Sequence, residues 1–367
     1  MNFLCLKEKL EYAVGLAERF TSRNSSLPVL ENILLEIRLN SLTLISTNLE
    51  YAFRIIVPGN GSGEEKLVIP AKVFNALLQS INDSKIELEG KKNTLYIKTP
   101  SLSTKINGYA GEDFPIIPRV TSTAHFSIEA ALLAQGLEKV MPAVSISEFK
   151  PELSGVYFKI TPSTLYLVAT DTFRLAEKTI PLSKKSEDKT YSFILPQKVA
   201  QELRRILSQA ETENTRIVLG ENQILFSING IEITSRLIEG NFPEYNNIIP
   251  KSFDTNCFIN KAEVAQAVRT SSIFTSRLSN VLLEFGPKHL NISSVNPELG
   301  EHSAKIPASL SGKDSSVQFN HRFLLDGINA IDEEEILFGV NNENTPAIIR
   351  NKSDGSFLYL LMPLKIS

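Results

Sequence analysis

"LENILLEI" at residues 30–37 decides how the chain must be read, because close relatives of it return as "LSGVYFKI" at 153–160 and "LSNVLLEF" at 278–285. The spacings are 123 and 125 residues. Counting 18 residues on from Leu30, Leu153 and Leu278 reaches Asn48, Asp171 and Asn296. These sit in "LTLISTNLEYAFRI", "LYLVATDTFRLAEKTI" and "LNISSVNPELGEHSAKI". Each passage reads as an alternating strand, a short polar turn and a second alternating strand. Later come "LVIPAKVFNALLQSI" (67–81), "FILPQKVAQELRRIL" (193–207) and "VQFNHRFLLDGINAI" (317–331). There a short strand runs into Pro70, Pro196 or Asn320, followed by apolar residues at helical spacing, the entry signals of a helix. "GEDFPIIP" (111–118) and "EGNFPEYNNIIP" (239–250) close the first two units. Four landmarks in register define three structural repeats of about 120–125 residues.

Each unit halves again into strand–helix–three strands, twice. Two helices and about eight strands make an α+β domain with sheet on one side and paired helices on the other. Polar, turn-rich "PRVTSTAH" and "IIPKSFDTN" place the boundaries, giving domains 1–121, 122–250 and 251–367. Open sheet edges invite pairing. Three such domains can pair edge to edge along the chain, leaving one free edge at each end, and a head-to-tail second copy could close the arc into a ring.

Composition agrees with an ordinary soluble, multi-domain protein: 367 residues, 42% hydrophobic, 22% charged, mean hydropathy −0.03. No apolar run is long enough for a membrane span, and "MNFLCLKEKLEYAVGL" carries no export signal, so a cytoplasmic location is expected. Cys5 and Cys257 read as two buried thiols in a reducing compartment. The net charge of −3 argues against a protein that coats nucleic acid with its whole surface. The predicted helices nonetheless carry Lys7, Lys9, Arg19, Lys72, Lys139, Lys198, Arg204, Arg205, Lys261, Arg269 and Arg322. Acidic residues gather elsewhere, in Glu64 and Glu65, Glu211 and Glu213, and "DEEE" at 332–335. Helices on one side of a curved sheet would make that side positive, the footprint of a phosphate-backbone binder. Charge alone fits a solvated helix face equally, since Glu8, Glu11, Glu18 and Glu202 share these helices. No base-reading element is present, so any DNA contact should be independent of sequence.

Catalytic chemistry is not evident. His125, His289, His302 and His321, expected in strand, strand, loop and helix start, show no zinc spacing, and no metal or cofactor is expected. "GNGSGEEK" (59–66) lies between two strands, so it reads as a flexible hairpin loop and not as a phosphate cradle. Asp171 could be a catalytic acid, but its counterparts are Asn48 and Asn296, and a turn-forming side chain accounts for all three. Alternation along a strand points the carboxylates of "DEEE" to opposite faces, against a metal site. Two other readings stand beside this one: an open repeat scaffold that binds peptides, and a hydrolase using Asp171.

"SLPVLENILLEI", "GEDFPIIP", "ATDTFRLAEKTIP", "GNFPEYNNIIP" and the C-terminal "YLLMPLKI" together resemble the bacterial DNA polymerase III β subunit family, the replicative sliding clamps. The resemblance runs in order from Leu27 to Ile366. It implies a head-to-tail homodimer, six clamp domains in a closed ring, with helices lining the hole and sheets forming the wall. Such a ring would hold a polymerase on duplex DNA by topology, without catalysis of its own. It also implies a pocket between the second and third domains for short peptide motifs of polymerase subunits and the clamp loader. The matching positions are Leu153, Thr170, Thr172, Arg174, Leu175, Pro243 and Ile248, together with Asn320, Phe323, Pro346, Leu360, Met362, Pro363 and Leu364. Leu153, Leu175 and Leu360 could equally be strand core. For DNA contact the resemblance points to Arg23, Asn24, Lys72, Lys150, Lys198 and Arg205. Asn24 stands where the family commonly has Arg, Thr172 where Gly or Ser is common, Phe173 where His is usual and Lys365 where Arg is usual; Ser367 extends the end.

Overall fold

Alternation and helical spacing become elements where the sequence places them. A computed structural model of the protein describes residues 2–22, 26–147, 149–182, 189–210 and 214–365. Its α-helices are α1 (Lys7–Glu18), α2 (Ala71–Ser80), α3 (Ala130–Val140), α4 (Gln197–Leu207), α5 (Lys261–Ser272) and α6 (His321–Asn329). Each follows a short strand and leads to three more, the half-repeat expected. Strand Lys85–Lys91 shows the cause: in "KIELEGK", Ile86, Leu88 and Gly90 are buried while their neighbours face outward. In α4, Val199, Ala200, Leu203, Ile206 and Leu207 are buried, one helical stripe. The asparagines before α5 and α6 act as caps. Asn260 Oδ1 accepts from the backbone N–H of Ala262 and Glu263 at 2.9 and 3.1 Å, and Asn320 Oδ1 from Arg322 and Phe323 at 2.9 and 3.5 Å. Pro70 and Pro196 instead end the strands Glu65–Pro70 and Tyr191–Pro196, one residue before their helices.

Packing groups these elements differently from the repeats. The chain forms two compact units, Met1–Ala131 with Arg205–Leu237, and Leu132–Arg204 with Ile238–Ser367. The first holds a five-stranded and a nine-stranded antiparallel sheet, the second a twelve-stranded one. The reason is the expected edge-to-edge pairing. Strand Tyr51–Pro58 of the first repeat pairs with Ile231–Arg236 of the second, setting Ala52 opposite Thr234 and Arg54 opposite Glu232. Strand Arg174–Pro181 pairs with Phe357–Leu361 of the third repeat, setting Leu175 opposite Leu360. One sheet therefore spans each junction between repeats.

Three local readings need correction. Residues 59–66 are not simply a loop: Asn60–Ser62 forms a strand against Asn2–Leu4. A Cβ at Gly59 would stand 2.4 Å from Phe3 Cζ, so close packing, not flexibility, demands that glycine. His302 lies in the strand Gly300–Gly312, because that strand starts directly after the Asn296 turn, earlier than its polar sequence suggests. Lys139 does not belong to a solvated basic face. It is buried, donates to the Ala330 carbonyl at 2.9 Å and pairs with Asp332, the first residue of "DEEE". Cys5 and Cys257 are buried free thiols, and burial pushes both up to about 12.

Candidate functional site at the repeat junctions

The turn that recurs 18 residues into each repeat is a side-chain device. Asn48 Oδ1 accepts from the N–H of Glu50 and Tyr51, Asp171 Oδ1 from Phe173 and Arg174, and Asn296 Oδ1 from Glu298 and Leu299, at 2.9–3.3 Å. Asp171 thus shares the structural role of its two asparagine counterparts. In the first two repeats a threonine helps. Thr47 Oγ1 and Thr170 Oγ1 each donate to the carbonyl four residues on, Tyr51 and Arg174. The turn forces Leu49 and Thr172 to φ of 77° and 79°, the left-handed region that favours glycine.

The Asp171 turn launches Arg174, which lies at the second junction. Arg174 Nε donates to Asp171 Oδ2 at 2.9 Å, its Nη1 pairs with Asp326 on α6, and its guanidinium lies 4.2 Å from the Phe323 ring centroid. Burial works against its charge, but Tyr359 and the two carboxylates outweigh that and hold its pKa above the ordinary value. Tyr359 OH donates to the Phe323 carbonyl at 2.9 Å, tying α6 to the sheet. Beside Arg174, Leu175 and Leu360 share a buried cluster with Val168, Tyr245 and Ile348. The chain beyond the last strand returns to the same place. Met362 N–H donates to the Phe173 carbonyl and Leu364 N–H to the Gln318 carbonyl, both at 2.8 Å.

Most of the fourteen expected pocket positions are therefore drawn together. Thr170 ends the strand Thr164–Thr170, Thr172 lies in the turn after it, and Arg174 and Leu175 open the next strand; Leu360 is on the strand paired with that one, and Met362, Pro363 and Leu364 follow it. Asn320 and Phe323 stand at the start of α6, Pro346 precedes Ala347, which faces Leu361, and Pro243 and Ile248 flank Tyr245. Leu153 ends the turn Pro151–Leu153, just ahead of the strand Gly155–Ile160 that pairs with the strand ending in Thr170. Leu153, Leu175 and Leu360 are each no more than 2% exposed, so all three serve as core. Exposed surface comes from Thr172, Phe173, Pro243 and Ile248, while Arg174, Phe323, Met362 and Leu364 are half-buried. Sequence reasoning missed Asp326, Tyr359 and Tyr245. Tyr245 had a signal: it lies in "EYNN", four residues present in the second connector and missing from the first.

The expected DNA-contact residues sit as follows. Lys72 on α2, Lys198 on α4 and Lys150 ahead of the 151–153 turn are exposed; Arg205 on α4 is half-buried. Arg23 and Asn24 lie outside the described residues. Several helix cations are matched locally: Lys7 with Glu11 at 2.7 Å, Lys198 with Glu202 at 3.0 Å and Arg204 with Glu138 at 3.7 Å. Such pairing leaves any positive helix face weaker than a count of lysines and arginines suggests. Among the described residues no group of three or more His, Cys, Asp or Glu could hold a metal, and no helix is long and apolar enough to cross a membrane.

These features define a class: a three-repeat α+β protein whose sheets run across the repeat junctions, with a polar turn and a cross-repeat strand pair at each. The chain belongs to the DNA polymerase III beta subunit family, matching its N-terminal domain over residues 1–118, its central domain over 127–244 and its C-terminal domain over 246–365. It is 25% identical to the beta sliding clamp of Bacillus subtilis (strain 168) across the whole of both chains. Against the beta sliding clamp of Staphylococcus epidermidis it is 26% identical over 94% of each. The solved DNA polymerase sliding clamp of Bacillus subtilis superimposes with a TM-score of 0.94 at 26% identity. That of Bartonella birtlesii, bound to griselimycin, superimposes with a TM-score of 0.95 at 25% identity; both cover all of each chain. The family is a processivity factor of the polymerase and is not itself catalytic.

Proposed function

We propose that the protein is a DNA sliding clamp: two copies close head to tail into a six-domain ring around duplex DNA and tether the replicative polymerase. The carrying observation is an imbalance of sheet edges. At each junction, the last strand of a first half-repeat pairs with the last strand of a later second half. One partner of each kind is left over. Among the described residues, Ser103–Asn107 is the end strand of its sheet, bonded to Thr94–Lys98 alone, and residues 300–307 pair only with 289–296. A second copy supplies what each lacks, once in each direction, which closes the assembly. The domains are 1–121, 122–250 and 251–367; the matched family domains support this division, although each packed unit draws on more than one of them.

Lys72, Lys150, Lys198 and Arg205, with Arg23 and Asn24, contact the phosphate backbone weakly and without sequence preference, as sliding requires. Polymerase subunits and the clamp loader dock short peptides beside Arg174, Phe323 and Met362, where the described apolar and polar groups meet. A cytoplasmic location, where replication would meet the clamp, goes with this reading.

Topology separates a ring from an ordinary DNA binder. Protomers diluted and reassembled in the presence of duplex DNA should withstand a wash at about 0.5 M salt only if both DNA ends are blocked, because screening removes phosphate contacts but not a link. Equal loss from blocked and open duplexes would rule out encirclement.

A further inference from the structure

The first junction holds a cleft of about 1000 Å³ between the connector at 111–122 and the face of the nine-stranded sheet that carries Ala52, Arg54 and Thr234. Repeat counting explains why it is there. Ala52 and Thr234 occupy the positions that Leu175 and Leu360 occupy at the second junction. The two connectors begin alike. Phe114 packs on Leu34 and Val68, and Phe242 stacks on Tyr157, the counterpart of Leu34, with centroids 4.6 Å apart. They then diverge, because "FPIIP" lacks the four residues that carry Tyr245 into its buried place. Small side chains below and a shorter connector above leave space that the second junction fills with its own residues.

We propose that this cleft is a second docking site, for an extended acidic peptide that carries a large apolar side chain. The floor supplies Leu34, Ile45, Val218 and Leu225, and the volume suits a peptide side chain with its flanks. Charge selects the occupant. Five lysine and arginine side chains line the cleft, Arg38, Arg54, Lys66, Arg119 and Arg216, against the glutamates at 36, 112 and 232. Lys66 is matched to Glu36 at 2.7 Å and Arg54 to Glu232 at 3.7 Å. Arg38, Arg119 and Arg216 are exposed and, among the described residues, show no ion pair. A positive cleft in a chain of net charge −3 favours carboxylates over other ligands. Ile116, 95% exposed on the connector, offers a further apolar contact. The site rests on this geometry alone, so it stands or falls independently of DNA encirclement.

The probe is the octapeptide (Glu-Leu)4, acetylated and amidated, titrated into the intact protein by calorimetry, with (Lys-Leu)4 as its charge-reversed control. We expect one (Glu-Leu)4 per chain and no heat from (Lys-Leu)4. Arg119→Glu with Arg216→Glu should weaken binding by about tenfold or more, since each charge-assisted contact is worth close to a factor of ten. Thr234→Leu, which restores the side chain of the second junction, should weaken it as well, whereas Met362→Ala should leave it unchanged. These are surface or half-buried changes, and thermal melts confirm that each variant folds. Absent binding, or affinity insensitive to all three cleft substitutions, overturns the proposal. So does loss of binding on Met362→Ala alone, which would assign the peptide to the second junction. Arginine-dependent binding of oligo(dT) without peptide binding would identify the cleft as a nucleic-acid site. Self-association abolished by Thr234→Leu would identify the occupant as a second copy of the chain.

Discussion

At the second junction Leu175 faces Leu360 and both share a buried cluster with Tyr245; at the first, Ala52 faces Thr234 and the shorter connector supplies no such ring. The backbone plan is the same: an Asx turn, a strand, a cross-repeat pair and a Phe-Pro connector. What differs is side-chain volume and four residues of connector. A repeat thus preserves its pairing scheme while its junctions diverge, because ladder bonds depend on backbone alone and packing depends on side chains. The same contrast holds two residues further on. Arg54, the counterpart of Glu177, is exposed and reaches Glu232 at 3.7 Å, whereas Glu177 is half-buried and accepts from Tyr245 OH.

The largest break in this comparison should come from emptying the filled junction. Leu360→Ala removes a side chain that is 2% exposed and should cost about 2–5 kcal/mol in denaturant unfolding. Ala52→Gly at the open junction should cost far less, and comparable losses would mean that the first junction is packed as tightly as the second. A peptide that binds beside Met362 should also be weakened by Leu360→Ala.

Charge gives the next effect, and it depends on pH. Burial raises the Glu177 pKa, an effect the Tyr245 hydrogen bond only partly offsets. A carboxyl with a raised native pKa contributes most below its unfolded value, and that contribution is lost as pH rises through the native one. Glu177→Gln keeps an acceptor for Tyr245 and removes the charge. It should stabilise the protein by about 1–2 kcal/mol at neutral pH and make no difference near pH 4. Arg54→Gln should leave melting temperature nearly unchanged across that range, since exposed pairs contribute about 0–1 kcal/mol. A Glu177→Gln gain that did not grow with pH would show that desolvation is not its source.

The smallest effect lies in the turns. Thr172→Gly and Leu49→Gly should each stabilise by about 0.5–1 kcal/mol, the relief of left-handed backbone less the added freedom of the unfolded chain. Pro297→Gly, at the matching position of the third turn, where φ is not positive, should show no gain in the same melts.

Much of this molecule was legible before its structure. The three repeats, the strand–helix–three-strand halves and the Asx turns follow from local periodicity and short-range side-chain bonds, which any stretch of chain carries within itself. The resemblance singled out Arg174 and Met362, but not Asp326 or Tyr359, which meet Arg174 only because α6 and the strand Phe357–Leu361 are brought to it from some 150 to 190 residues away. Lys139 failed as a surface cation for the same reason: its partners, the Ala330 carbonyl and Asp332, come from a distant loop. The amino-acid sequence by itself determined the repeats, their elements and the chemistry of each turn. Tertiary structure alone decided which strands pair across the repeat boundaries and that one junction would be filled and the other left open. Strand pairing and cavity volume are settled between segments far apart in the chain, where no local pattern records them.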